Sequence, residues 1–173
     1  GVAGAVNSNL NIGDIVISKG LYQHDMDARP IFDQFQIPLT ETRVFEPDNQ
    51  SVSNATIASK EFLSTIKTTL STELLSKYSI FSPTVHQGII ASGDKFISSI
   101  EKHEELHYKH DGQETLAVEM EGAAVAQVCS DYKVPYIIIR VISDKADHSA
   151  TIDFQSFIKD IASKYSAGIV SNL

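Results

Sequence analysis

Four residues between positions 119 and 144 carry the chemistry this sequence is best equipped to do. Glu119 and Glu121 sit in the run Val118-Glu119-Met120-Glu121-Gly122, Arg140 interrupts an apolar run of isoleucine and valine, and Asp144 follows Ser143 just after it. Two carboxylates in one cleft can be driven to opposite protonation states, one ionised and accepting hydrogen bonds, the other holding a proton to give away. Glu121, near a helix N-terminus with Arg140 close by, reads as the ionised acceptor. Asp144, enclosed among Ile142, Phe154 and a ligand, reads as the acid. A guanidinium inside an apolar strand calls for a carboxylate partner, and Glu119 or Glu121 is the natural one. The rival reading is plain architecture: an ion-paired strand–helix junction and an aspartate capping the next turn.

The elements that must position these residues follow from periodicity. Residues 117–120 read as a short strand, 121–132 as a helix, Lys133-Val134-Pro135 as a turn and 136–142 as a strand covered on both faces. In the helix, Val125, Val128, Cys129 and Tyr132 recur at three- and four-residue spacing as an apolar stripe, and Gly122, Ala123, Ala124 and Ala126 allow close approach to a sheet. The expected arrangement is a parallel α/β unit with both acids at the carboxyl ends of strands, the edge where open α/β sheets bind ligands.

Before this unit, the small residues Gly1-Val2-Ala3-Gly4 read as a loop that a ligand can approach closely, and residues 14–18 alternate like a strand. Tyr22 to Asp27 reads as a loop in which His24, Asp25 and Asp27 offer metal-ligand chemistry, though solvated acids are the commoner outcome. Phe32, Phe35, Ile37 and Leu39 suggest an extended segment, and a helix is expected from Ser53 with Phe62, Leu63, Ile66, Leu70 and Leu74 on one face. Residues 85–91 read as a strand leading into Ser92-Gly93-Asp94-Lys95-Phe96-Ile97, and a last helix carries Phe157, Ile158, Ile161 and Tyr165.

His103-Glu104-Glu105-Leu106-His107 is a literal HExxH, with His110 as a conceivable third ligand. A zinc-protease helix must lie buried under its site, whereas this one is polar nearly all round and lacks the glycine of the extended motif. A solvated helix is therefore expected, and no metal.

A net charge of -8 argues against a nucleic-acid or acidic-membrane partner. The 173 residues are 42% hydrophobic, enough for a core, and none of the apolar runs reaches membrane-spanning length. Cys129 cannot form an internal disulfide, since it is the chain's single cysteine; a buried thiol in a reducing, cytoplasmic setting is the expectation.

The stretches VEMEGAAVAQVC, IIIRVISDKAD and DFQSF together resemble the 5'-methylthioadenosine/S-adenosylhomocysteine nucleosidases of the purine nucleoside phosphorylase superfamily. GVAGAVNSNLNIGDIVIS with YQHDMDA, and ASGDKFI, fit in the same order. The resemblance implies an α/β three-layer sandwich with a central twisted mixed sheet flanked by helices. Residues 1–173 would be the C-terminal portion of one domain, with the water-activating glutamate before Gly1. It implies that Asp144 protonates adenine N7, that Glu121 grips the ribose hydroxyls with support from Arg140 and Ser143, and that Phe96 and Phe154 cover adenine while Ile97 binds it through backbone groups. Val2, Gly4, Val118, Glu119 and Met120 complete the implied substrate contacts. The 22–27 segment is placed at a homodimer interface, where the family often has an aromatic at the position of Gln23 and this chain has Tyr22 beside it. No cofactor is implied. The alternatives are a phosphate-dependent nucleoside phosphorylase, a non-catalytic nucleoside-binding protein and a metallopeptidase.

Overall fold

The computed structural model describes residues 1–97, 106–145 and 154–173, apart from the side chain of Phe154. Five strands close a ring. Strand β1 (Val2–Ala5) pairs antiparallel with β5 (Gln113–Glu119) on one side and parallel with β6 (Ile139–Asp144) on the other. Strand β6 runs antiparallel to β2 (Ile15–Gln23), β2 parallel to β3 (Val85–Ser92), and β3 parallel to β5, which completes the circuit. Outside it, β4 (Lys109–His110) folds onto β5 through Asp111-Gly112, both with positive φ, as such a tight hairpin requires.

The sheet is thus mixed, as expected, and both faces are covered. On one face Ile15 and Ile17 of β2 pack with Val52, Ala55, Ala58 and Phe62 of α1 (Asn49–Ser64) and with Tyr165 and Ile169 of a C-terminal helix. On the other, Val16 and Leu21 pack with Ala123 and Ala126 of α4 (Gly122–Asp131). Strand alternation sends neighbours to opposite faces, so a strand apolar throughout is what two helical layers demand. Between these helices lie the short α2 (Ile66–Thr69) and α3 (Thr72–Lys77); the chain closes with α5 (Phe154–Phe157), a π-helical turn (Ile158–Ala162) and α6 (Ser163–Val170). None of the described helices is long and apolar enough to cross a membrane.

Helix α1 begins four residues before Ser53 because Asp48 caps it, accepting from Ser51 N at 2.9 Å and Ser51 Oγ at 2.6 Å. Phe62, at its far end, stacks edge-on against Tyr165 with centroids 4.9 Å apart, and a Cβ at Gly168 would come within 2.3 Å of its ring. Phe62→Ala should therefore cost about 3 to 5 kcal/mol, read as a lowered denaturation midpoint. A loss under 1 kcal/mol would mean that α6 does not depend on this contact.

Five expectations need correcting. Residues 2–5 are a ring strand, not a loop, because their backbone pairs with β5 on one side and β6 on the other. Strands β5 and β6 run in opposite directions with β1 between them, so they are not a parallel unit. The last of these strands starts at Ile139 rather than at position 136. Residues 29–43 form successive turns with positive φ at Phe35 and Leu39, leaving Ile37 buried and Leu39 exposed. In α4 the buried residues are Gly122, Ala123 and Ala126, whereas Val125, Val128 and Tyr132 face outward and Cys129 is only half-buried. Small residues win the sheet-facing side because they let the helix axis approach the strands.

Candidate active site

Register places the site. Gly4 of β1 lies opposite Val118 of β5 and opposite Asp144 of β6, so both strand ends meet at one rung of the ring. Between Ala3–Ile142 and Gly4–Asp144 the pairing skips Ser143, a bulge that turns two consecutive residues of β6 toward the same cleft. That cleft encloses about 490 Å³ with its open mouth counted in. Its walls include Val2, Gly4, Phe96, Ile97, Val118, Glu119, Met120, Glu121, Ser143 and Asp144, ten of the positions picked out from the sequence.

The buried acid of the junction is Glu119. Its carboxylate accepts from Gly122 N at 2.9 Å to each oxygen, from Glu121 N at 3.3 Å, from Ser92 Oγ and from Arg140 Nη2. It thereby satisfies the first amides of α4, whose N-cap residue Glu121 makes no side-chain cap of its own, and gives the guanidinium its charge partner. A Cβ at Gly122 would meet Glu119 Oε1 at 3.0 Å and Leu21 Cδ2 at 2.8 Å, so glycine there lets the amide reach the carboxylate.

Glu121 has the opposite environment. Its side chain is 69% exposed, and Arg140 Nη2 is 3.5 Å from its Oε2. One arginine thus spans a buried carboxylate, which fixes it, and a cleft-facing one, which it steadies. The partner left open between Glu119 and Glu121 is chiefly Glu119.

Asp144 is buried at the cleft wall, and Ser143 Oγ donates to its Oδ2 at 2.7 Å. Behind the bulge, Ile142 N donates to Asp14 O at 2.8 Å and Gly13 N to Ile142 O at 2.9 Å, and Lys145 Nζ reaches Leu10 O. Buried Asp14 also accepts from Thr84 N at 2.6 Å, so this turn anchors the strand that carries the acid. Across the cleft Phe96 is half-exposed and Ile97 is buried. The helix opening at Phe154 is described, but that ring is not.

Other sequence candidates fare differently. Tyr22 is wholly buried, packed against Phe35 and Tyr108 and donating to Leu106 O at 3.2 Å; burial pushes its hydroxyl up to about 12. It is a core residue, and Gln23 beside it bonds Gln127 of α4 at 2.8 Å. His24, Asp25 and Asp27 do not converge: Asp25 accepts from Asp94 N at 2.9 Å, and the Arg29 guanidinium holds the Asp27 carboxyl down to about 2. His103, Glu104 and Glu105 of the HExxH lie outside the described residues, while His110 pairs with Glu46 at 3.2 Å.

Sequence reasoning missed Ala3 and Lys95 in the cleft wall and Ser92 behind it. The strand register between Ser92 and Glu119 is what joins them, and spacing along the chain carries no trace of that.

The phosphorylase superfamily model matches residues 1–173. A 5'-methylthioadenosine/S-adenosylhomocysteine nucleosidase of Staphylococcus aureus is 32% identical over 163 residues, 94% of this chain; the chain spans 62% of that relative's length. Among solved structures, the corresponding nucleosidase of Neisseria meningitidis in complex with methylthio-immucillin-A superposes with a TM-score of 0.78 at 34% identity, over 100% of this chain and 68% of that one. A futalosine hydrolase of Helicobacter pylori gives 0.72 at 30% identity, over 100% and 66%. The chain belongs to the phosphorylase superfamily, and within it is similar to the 5'-methylthioadenosine/S-adenosylhomocysteine nucleosidases.

Proposed function

We propose that residues 1–173 belong to one domain that hydrolyses the N-glycosidic bond of 5'-methylthioadenosine or S-adenosylhomocysteine, releasing adenine and a 5-thioribose. The observation that carries this reading is the meeting of Asp144 and Glu121 in one cleft with the Phe96 ring on its wall. Breaking the bond gives the sugar oxocarbenium character and leaves electrons on the purine, so a proton delivered to adenine N7 makes it a better leaving group. Asp144 is the proposed donor, held by Ser143. Glu121 accepts from the ribose hydroxyls, with Arg140 and Met120 beside it. Val2, Gly4, Val118 and Ile97 shape the walls, Phe96 stacks on the base, and Phe154 is proposed as its second cover on family resemblance alone. No cofactor is needed for this chemistry.

The test uses the chain in its full reading frame, since the resemblance assigns water activation to a glutamate outside these residues. Adenine should be released from either thionucleoside at equal rates with and without phosphate. Release that requires phosphate would make the protein a phosphorylase instead, and tight nucleoside binding without release would make it a binding protein.

The working form is proposed to be a cytoplasmic homodimer. Val125, Val128, Tyr132 and Val134 form an outward apolar stripe, with Val128 57% and Tyr132 78% exposed, and such patches mark protein contacts. Replacing Val128 and Tyr132 together with glutamate should convert a dimer to monomers in sedimentation. An unchanged mass would remove this face from the interface.

A further inference from the structure

We propose that Ser92, which lines no part of the cleft and whose role no motif announced, is the positioning residue that sets the ribose grip. This rests on the reading of Glu121 as the acceptor of ribose hydroxyls. Ser92 is the last residue of β3, opposite Glu119 in the parallel β3–β5 register, and it is buried. Its oxygen accepts from Ala123 N at 2.8 Å, and its single proton goes to Glu119 Oε1. The hydroxyl is therefore polarised in one direction, from the first turn of α4 toward the carboxylate.

The consequence runs through two contacts. Glu119 has its Oε1 fixed by Ser92 and by Gly122 N, which leaves Oε2 aimed at Arg140. Arg140 then reaches Glu121 Oε2 with the same nitrogen. Without the hydroxyl, Oε1 keeps only the Gly122 amide, and the carboxyl, still held by Gly122 N on both oxygens and by Glu121 N and Arg140 on Oε2, shifts about its soft last torsion and moves the guanidinium with it. Among the described residues, the exposed Glu121 side chain has no other hydrogen-bond partner to hold its rotamer. Ser92 O also accepts from His24 N at 2.9 Å, and Gly93 N donates to Glu119 O at 3.2 Å, so the backbone keeps its place when the hydroxyl is removed.

A grip on ribose hydroxyls exists in the bound substrate as well as in the transition state, so its loss weakens binding more than turnover. In the full-length protein, Ser92→Ala should raise KM about tenfold, on the scale of one hydrogen bond to a charged group, with kcat changed less than threefold. Ser92→Thr, which keeps the hydroxyl, should recover most of the affinity. The deciding comparison uses 5'-methylthioadenosine and its 3'-deoxy analogue, which gives Glu121 one hydroxyl fewer. The Ser92→Ala penalty in dissociation constant should be several-fold smaller for the deoxy analogue. An equal penalty on both nucleosides would show a merely structural role and overturn the proposal.

Should Ser92→Ala fail to fold, Ser92→Cys keeps the volume with a weak donor, and the same two-nucleoside ratio decides. Binding is read by calorimetry, so a wild type that binds the nucleoside but releases no adenine counts against the hydrolase reading alone. A wild type that binds neither nucleoside overturns both.

Discussion

Asp144→Asn is expected to lower adenine release by about 10² to 10⁴-fold while leaving the melting temperature nearly unchanged. Asparagine has the same shape and keeps an oxygen to accept from Ser143 Oγ, as Asp144 Oδ2 does at 2.7 Å, so the bulge in β6 has no reason to relax. It cannot deliver a proton to the purine. The loss should fall on kcat, because the proton matters as the bond breaks and much less when the nucleoside docks. Single-turnover kinetics on 5'-methylthioadenosine check this. Turnover within threefold of wild type would remove Asp144 from the chemistry and leave the cleft as a binding site only.

Arg140→Ala carries the second large effect, this time on stability and binding together. The Glu119 side chain is 2% exposed, and removing its counter-ion leaves a charge in a nearly dry place. Breaking a buried pair costs about 3 to 5 kcal/mol. The amides of Gly122 and Glu121 and the Ser92 hydroxyl remain on the carboxylate, which puts the expected cost near the lower end. For a chain of this size that is a fall of roughly 6 to 12 °C in the melting temperature. Nucleoside affinity should fall as well, since Glu121 loses its steadying partner. The double change Glu119→Gln with Arg140→Met should return much of the stability without the affinity, because no charge is then stranded. If Arg140→Ala melts with wild type, the ion pair contributes little and the amides alone hold Glu119.

The sequence shows the acids, the arginine and the strand that bears them more clearly than it shows their arrangement. The VEMEG and RVISD runs identify the residues, and the cleft is lined by the three acids with Arg140 bonded to Glu119 and Glu121, because residue type is local information. Strand direction is not local. The opposite courses of β5 and β6 depend on β1 entering between them, and its pairings with Val118 and Asp144 reach across more than a hundred positions. The face of α4 was misread for a related reason. Periodicity finds the stripe of Val125, Val128 and Tyr132, but the sheet accepts Gly122, Ala123 and Ala126 because they are small. An apolar stripe states that a face will be covered, not by what. Ser92 escaped notice since a lone serine at a strand end is ordinary until its register partner is known.

The ring also has a consequence for synthesis on the ribosome. Strand β1 leaves the exit tunnel well before its partners at positions 117–118 and 141–144, which follow more than a hundred residues later. Through that interval these two partners cannot satisfy its amides and carbonyls, and such long-range closure is slow. Expression at low temperature or with extra chaperone should therefore raise the soluble yield more for this protein than for one whose strands pair as hairpins.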